Sequence, residues 1–149
     1  MNLDLFLSLP VKPKNTCKIR CLIYSKNDES HIRCSLIFDT GASTTSLTRS
    51  VTNALNYTEI QKGRVPKTTA NGLITFDTVE ISRIVVGGEF AFNNMVTDIL
   101  KWKNSSIQGV IGMDIISKLH FYSDTNNLVI QNKPFKNIVQ EFGESKMFL

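Results

Sequence analysis

Ser35-Leu36-Ile37-Phe38-Asp39-Thr40-Gly41-Ala42-Ser43-Thr44 is the stretch on which the reading of this chain turns. Three consecutive apolar residues deliver one carboxylate to a stop made of Thr40 and Gly41, the pattern of a buried strand that runs into a loop presenting Asp39. A carboxylate at the end of a core strand is costly unless it is hydrogen-bonded or shares a proton, so Asp39 is either satisfied locally in an ordinary turn or kept for chemistry. Asp-Thr also occurs at Asp77-Thr78 and Asp124-Thr125, but only Asp39-Thr40 is followed by Gly. Asp77 leads into the alternating Thr78-Val79-Glu80-Ile81, and Asp124 into a polar turn. The chain therefore carries one such site, and chemistry that needs two carboxylates requires a second chain.

Outward from this stretch, Thr16 to Tyr24 and Ile32 to Phe38 read as a hairpin around the polar turn Ser25–Ser30, aiming the acid. Ser43-Thr44-Thr45-Ser46-Leu47-Thr48 is rich in hydroxyls that hold a tight loop, and Ser46 or Thr48 is placed to cap a short helix over 51–55. Lys67 to Phe76 contains Asn71-Gly72, a strong signal for a two-residue hairpin turn. Its composition suits an arm that projects or covers, and equally an ordinary surface hairpin. Val79 to Val86, the turn Gly87-Gly88 and Phe90-Ala91-Phe92 form a further strand and return. Val110-Ile111 is a short buried strand, Gly112 allows close backbone approach, and Asp114 is placed to cap a helix bearing Ile115, Ile116 and Leu119. His120-Phe121-Tyr122 and Leu128 to Gln131 close a last hairpin, and Leu3, Leu5, Leu7 and Leu9 line one face of an N-terminal strand ended by Pro10. Eight or nine short strands and one or two short helices make an all-β, barrel-like domain.

At 149 residues and 42% hydrophobic, the chain has the size of one domain with a real core. Its net charge of +4 comes from basic residues scattered along the chain, without a run of five like charges and without interleaved stacking aromatics, so nucleic acid is not the expected partner. Asp4 stands where a secretory signal carries positive charge, and no segment approaches the about 18 apolar residues of a membrane span. The odd set Cys17, Cys21 and Cys34 argues for a reducing compartment, with the cytoplasm the simplest choice. With His31 the three could be written as a zinc set, but they lack knuckle turns and buried core thiols are the default; no metal or cofactor is expected. His31 and His120 follow no nucleophile-elbow pattern, and a P-loop and a dinucleotide fingerprint are absent.

The combination resembles the retropepsin-like (retroviral-type) aspartic proteases, especially their stand-alone cellular or bacterial members. Leu36 to Ser43 matches the catalytic loop, Thr69-Ala70-Asn71-Gly72 the flap tip, and Val110-Ile111-Gly112-Met113-Asp114-Ile115-Ile116 the segment before the C-terminal helix. The resemblance covers about residues 16 to 131 of a single domain over 1–149. It implies an acid-protease-like closed β-barrel, one retropepsin-type lobe, and an aspartic endopeptidase built as a homodimer, with an extended peptide as substrate and no membrane partner. It implies Asp39, Thr40 and Gly41 as catalytic residues and Ala42, Ser43, Ala70, Asn71 and Gly72 as substrate-binding residues. Departures stand beside it. Ser43 replaces an acid that retroviral enzymes commonly use on substrate backbone, Met113 replaces their Arg, and the hairpin lacks the Tyr of pepsin-type flaps. Whether the dimer sheet comes from Leu3 to Leu9, from the C-terminal tail or from both stays open. A protease-like dimerisation or peptide-binding module without turnover is the alternative.

Overall fold

The computed structural model describes residues 6–10, 17–63, 66–69, 72–102, 106–123 and 127–131, with the backbone alone for 6–10 and 123. Its strands are β1 (Phe6–Pro10), β2 (Lys18–Tyr24), β3 (His31–Phe38), β4 (Ser46–Thr48), β5 (Ile60–Gln61), β6 (Lys67–Thr69), β7 (Gly72–Ile74), β8 (Thr78–Val86), β9 (Phe90–Leu100), β10 (Gly109–Ile111), β11 (His120–Ser123) and β12 (Asn127–Gln131). Two short helices, α1 (Arg49–Ala54) and α2 (Met113–Ile116), interrupt them. Strands pair in the order β2-β3-β10-β4-β9-β8, and β8 returns to β2 through the register Cys21↔Val86 to Tyr24↔Arg83. That last ladder closes six strands into a barrel, the all-β architecture expected from the spacing of short strands.

Alternation decides which side chains fill it. In β2, Ile19, Cys21 and Ile23 point inward, while Lys18 and Arg20 are exposed. Leu36, Leu47, Ile81, Ile84, Ile99 and Ile111 are fully buried inward-facing strand residues, and Ile115 and Ile116 of α2 join them from one end. Each such side chain contributes about 2 kcal/mol through burial, which fixes strand register, since a slip of one residue would turn all of them outward.

Several local expectations need correction. Ser46 to Thr48 form β4, a strand, because they are clamped between β10 (Leu47↔Gly109) and β9 (Leu47↔Ile99). Thr48 is the N-terminal flank of α1, but its hydroxyl meets Ser50 Oγ at 3.1 Å instead of a helix amide. In the projecting hairpin Thr69 pairs with Gly72, leaving Ala70 and Asn71 between them, so Gly72 starts the return strand at φ +99° and is not a turn residue. Ala70 and Asn71 lie outside the described residues. β9 runs on to Leu100, well past Phe92, because β8 and then β4 give it partners along its whole length. Pro10 is the last residue of β1, opposite Asn127, and β1, β12 and β11 form a separate three-stranded sheet within one chain. Leu3, Leu5 and the tail from Lys133 lie outside the described residues.

Cys17, Cys21 and Cys34 are buried and no disulfide joins them. Desolvation pushes the Cys21 thiol up to about 12 and Cys34 to about 11. His31 sits on the outer face against Tyr24, with ring centroids 5.0 Å apart, so it does not converge with the inward thiols on a metal site. Among the described residues no helix is long and apolar enough to cross a membrane.

Candidate active site

β3 ends at Phe38, whose ring packs edge-on against Phe121 of β11 with centroids 5.4 Å apart. The next residue leaves the core. Asp39 is exposed, and its backbone N–H still donates to the Ile111 carbonyl at 3.1 Å, continuing the parallel pairing of β3 with β10. The chain then turns sharply: Ala42 N–H donates to the Asp39 carbonyl at 3.2 Å, and Gly41 N–H donates to Asp39 Oδ1 at 2.8 Å. One carboxylate oxygen thus has a fixed backbone donor. A Cβ at position 41 would sit 3.1 Å from that oxygen, so glycine leaves the carboxyl unobstructed there. Thr40 and Ser43 are exposed beside it and Ala42 is partly buried.

This loop is shaped by a segment far away in sequence. Met113 N–H donates to the Ala42 carbonyl at 2.7 Å and Asp114 N–H to the Ser43 carbonyl at 3.2 Å. In return the Asp114 carboxylate accepts the Thr45 N–H, 3.0 Å from each oxygen, and the Thr45 hydroxyl at 2.7 Å. Thr45 Oγ1 itself accepts the Gly112 N–H at 3.1 Å. Asp114 is therefore a cross-brace and not the expected helix cap; Gly112 flanks α2, and the remaining bond of Asp114 Oδ1 is to Ile115 N–H at 2.9 Å. Gly112 is required sterically, since a Cβ there would lie 2.5 Å from the Thr44 carbonyl carbon. Two backbone segments cross in contact at this point, which fixes the loop that carries Asp39.

A second brace reaches the site from the projecting hairpin. Lys67 Nζ, on β6, donates to Thr44 Oγ1 at 2.9 Å and to Asp98 Oδ2 at 2.7 Å. Asp98 is only 3% exposed, and its backbone N–H donates to the Thr45 carbonyl at 3.1 Å. Its Oδ1 is buried without a hydrogen-bond partner among the described residues. Asp77 anchors the other arm: it accepts Gly63 N–H at 3.2 Å and lies 3.5 Å from both Arg49 and Lys62. The Gly63 N–H, then the nearby lysines, hold its carboxyl below the usual range. Beyond these anchors Leu73 is 71% exposed and Ile74 is also exposed, an apolar hairpin end in solvent.

The structure thus brings Asp39, Thr40, Gly41, Ala42 and Ser43 together on one loop. Gly72 lies on the hairpin, and Ala70 and Asn71 lie outside the described residues. Sequence reasoning placed Thr45 among the hydroxyls that hold the loop, without its partner Asp114, and missed Lys67 and Asp98. Asp98 carried a usable signal, a carboxylate that runs directly into the apolar Ile99-Leu100.

A loop of Asp-Thr-Gly form, at the end of a barrel strand, locked by a glycine-containing strand and short helix, is the arrangement of aspartic proteases. Residues 26–115 match the family model described as aspartyl protease, more than half of the chain, and the chain belongs to that family. The fold is retropepsin-like: it matches the crystal structure of a retropepsin-like aspartic protease from Rickettsia conorii with a TM-score of 0.67. The two are 18% identical, and the match covers 87% of this chain and 92% of that one. No curated protein matches the chain.

Proposed function

We propose that this protein is an aspartic endopeptidase that works as a homodimer, with Asp39 and Asp39 of the partner subunit forming the catalytic dyad. The observation that carries the proposal is that the fold presents one exposed Asp-Thr-Gly carboxylate on a loop braced from two directions, while the chain holds no second copy of it. A two-fold assembly brings like surfaces together, so a carboxylate at the axis meets its own twin. As in aspartic proteases at large, two carboxyls about 3 Å apart share one proton.

The ionised member takes a proton from a water held between the two carboxyls, and that water attacks the peptide carbonyl. The protonated member donates to the carbonyl oxygen as it becomes tetrahedral; the member holding the water's proton then passes it to the amide nitrogen while the other takes one back from the gem-diol, and the C–N bond breaks to release the amine and the carboxylic acid. Gly41 N–H keeps one oxygen of Asp39 oriented throughout. The exposed Leu73 and Ile74 suit a hairpin that closes over an extended peptide and excludes water, while Ala42 borders the peptide and the Ser43 N–H and the hairpin backbone pair with it as an added strand.

Cleavage of an unstructured protein by wild-type and Asp39→Asn chains, from acid to neutral pH and at several protein concentrations, tests this. Activity should vanish in the variant and rise faster than linearly with concentration. The exchange of an acid for Ser43 favours one rival, a peptide-binding module of the same fold; a folded, dimeric chain that cleaves nothing would establish it.

A further inference from the structure

We infer that the outer face of β2, β3 and β8 is a docking surface for an acidic segment of a protein substrate, outside the cleaved stretch; this rests on the endopeptidase reading above. Basic residues that look scattered in the sequence are gathered here by strand register. Lys18 and Arg20 are exposed on β2, and Arg33 is exposed on β3 opposite Leu22. Arg83 of β8 lies opposite Tyr24, which in turn faces His31. Of these, Arg83 alone lies within 4.0 Å of a carboxylate among the described residues, that of Asp28. Lys18, Arg20 and Arg33 border a shallow cleft of about 520 Å³ together with Leu22, Gly87 and Gly88.

The position and spacing of this track fit an extended polypeptide. Lys18 pairs with Ile37, two residues before Asp39, so the track starts at the strand end that presents the carboxylate. It runs roughly 20 Å down the barrel wall to Tyr24, at about 3.3 Å per residue. Acidic residues at alternate positions of an extended segment recur about every 7 Å, the repeat of Lys18 and Arg20. Surface charges of this kind raise encounter rates and select partners by sign. The face is poorer as a nucleic-acid platform. Its two rings, Tyr24 and His31, pack against each other with centroids 5.0 Å apart, and Arg83 lies 4.9 Å from the Tyr24 centroid. Rings already held against each other and against a guanidinium are poor platforms for stacking a base.

The full chain carrying Asp39→Asn, which binds without cutting, is titrated against three labelled probes: a peptide of alternating Glu, its Gln counterpart, and oligothymidylate of equal charge. The acidic peptide should bind best, weaken steeply with salt, and lose about tenfold or more in affinity when Lys18→Gln, Arg20→Gln and Arg33→Gln are combined in a chain shown by circular dichroism to be folded. Binding of the Glu and Gln peptides alike, or an unchanged affinity in the triple variant, would overturn the proposal. Tighter binding of oligothymidylate that is lost in the triple variant would overturn it in favour of nucleic acid. In the catalytically intact chain, an acidic tract appended to a cleavable peptide should raise kcat/KM, and the triple variant should remove that gain while leaving the untagged peptide unaffected. Acidic-peptide binding without cleavage of any substrate would refute the endopeptidase reading and leave the docking surface standing.

Discussion

Lys67 Nζ lies 2.7 Å from Asp98 Oδ2, and this contact joins the base of the projecting hairpin to a carboxylate buried under the Asp39 loop. The pair is asymmetric, since the lysine is about one-third exposed and the aspartate is almost wholly enclosed. Removing the lysine alone strands a charge. Lys67→Met should cost on the order of 3 kcal/mol in urea denaturation, and Lys67→Met with Asp98→Asn should recover most of that loss. A double variant no more stable than the single one would show that Asp98 does not need its counter-charge.

Asp114 gathers two donors from Thr45 and one from Ile115, so its loss leaves several groups unsatisfied at once. Asp114→Ala should lower stability by about 3 kcal/mol and, through displacement of the Asp39 loop, lower kcat about a hundredfold in the surviving folded fraction. Thermal melting and active-site-normalised cleavage separate the two effects.

At Gly112 the obstacle is backbone, the Thr44 carbonyl group, which cannot swing aside as a side-chain end can. Gly112→Ala should therefore cost about 2 kcal/mol or more, whereas Asp39→Asn, at an exposed site, should change the melting midpoint by no more than about 0.5 kcal/mol equivalent. The pair of variants separates what builds the loop from what the loop displays.

Asp77 ties down one arm of the hairpin, and its carboxyl is held below the ordinary 3.8, first by the Gly63 N–H. A depressed folded value means that stability from this contact is complete above the ordinary value and is lost as pH falls through the folded one. The Gly63 amide resonance should titrate with a midpoint below 3.8, and Asp77→Asn should abolish that titration.

The buried thiols act at the other end of the scale. Desolvation raises Cys21 to about 12 and Cys34 to about 11 from an ordinary 9.0, so the folded chain keeps their protons after the unfolded chain has released them. The sign follows: their contribution is complete below pH 9 and is lost as pH rises through the folded values. Denaturation midpoints should fall above pH 9 in the wild type and fall less in Cys21→Ala/Cys34→Ala.

What the sequence made legible was local. Asp39 was visible because its surroundings, Leu36-Ile37-Phe38 before and Thr40-Gly41 after, are contiguous, and the strands of the barrel were visible wherever apolar positions alternate. Ser46-Leu47-Thr48 gave no such signal, since three residues are too few to show a period and β4 exists because β9 and β10 enclose it. Lys67 and Asp98 are 31 residues apart and Thr45 and Asp114 are 69 apart, so neither brace has a local signature. The basic track was hidden for a related reason: only the register that sets Arg33 opposite Leu22 puts it on one face with Lys18 and Arg20.

The clasp between Thr45 and Asp114 has a consequence for the order of events during synthesis. A growing polypeptide holds the Asp39 carboxylate and the Lys67–Asp98 brace early, yet the clasp from Asp114 closes on its loop only when residues 112–115, late in the described fold, have been made and have docked. A half-made or truncated copy that ends before residue 112 therefore bears the acid without the clasp that holds its loop.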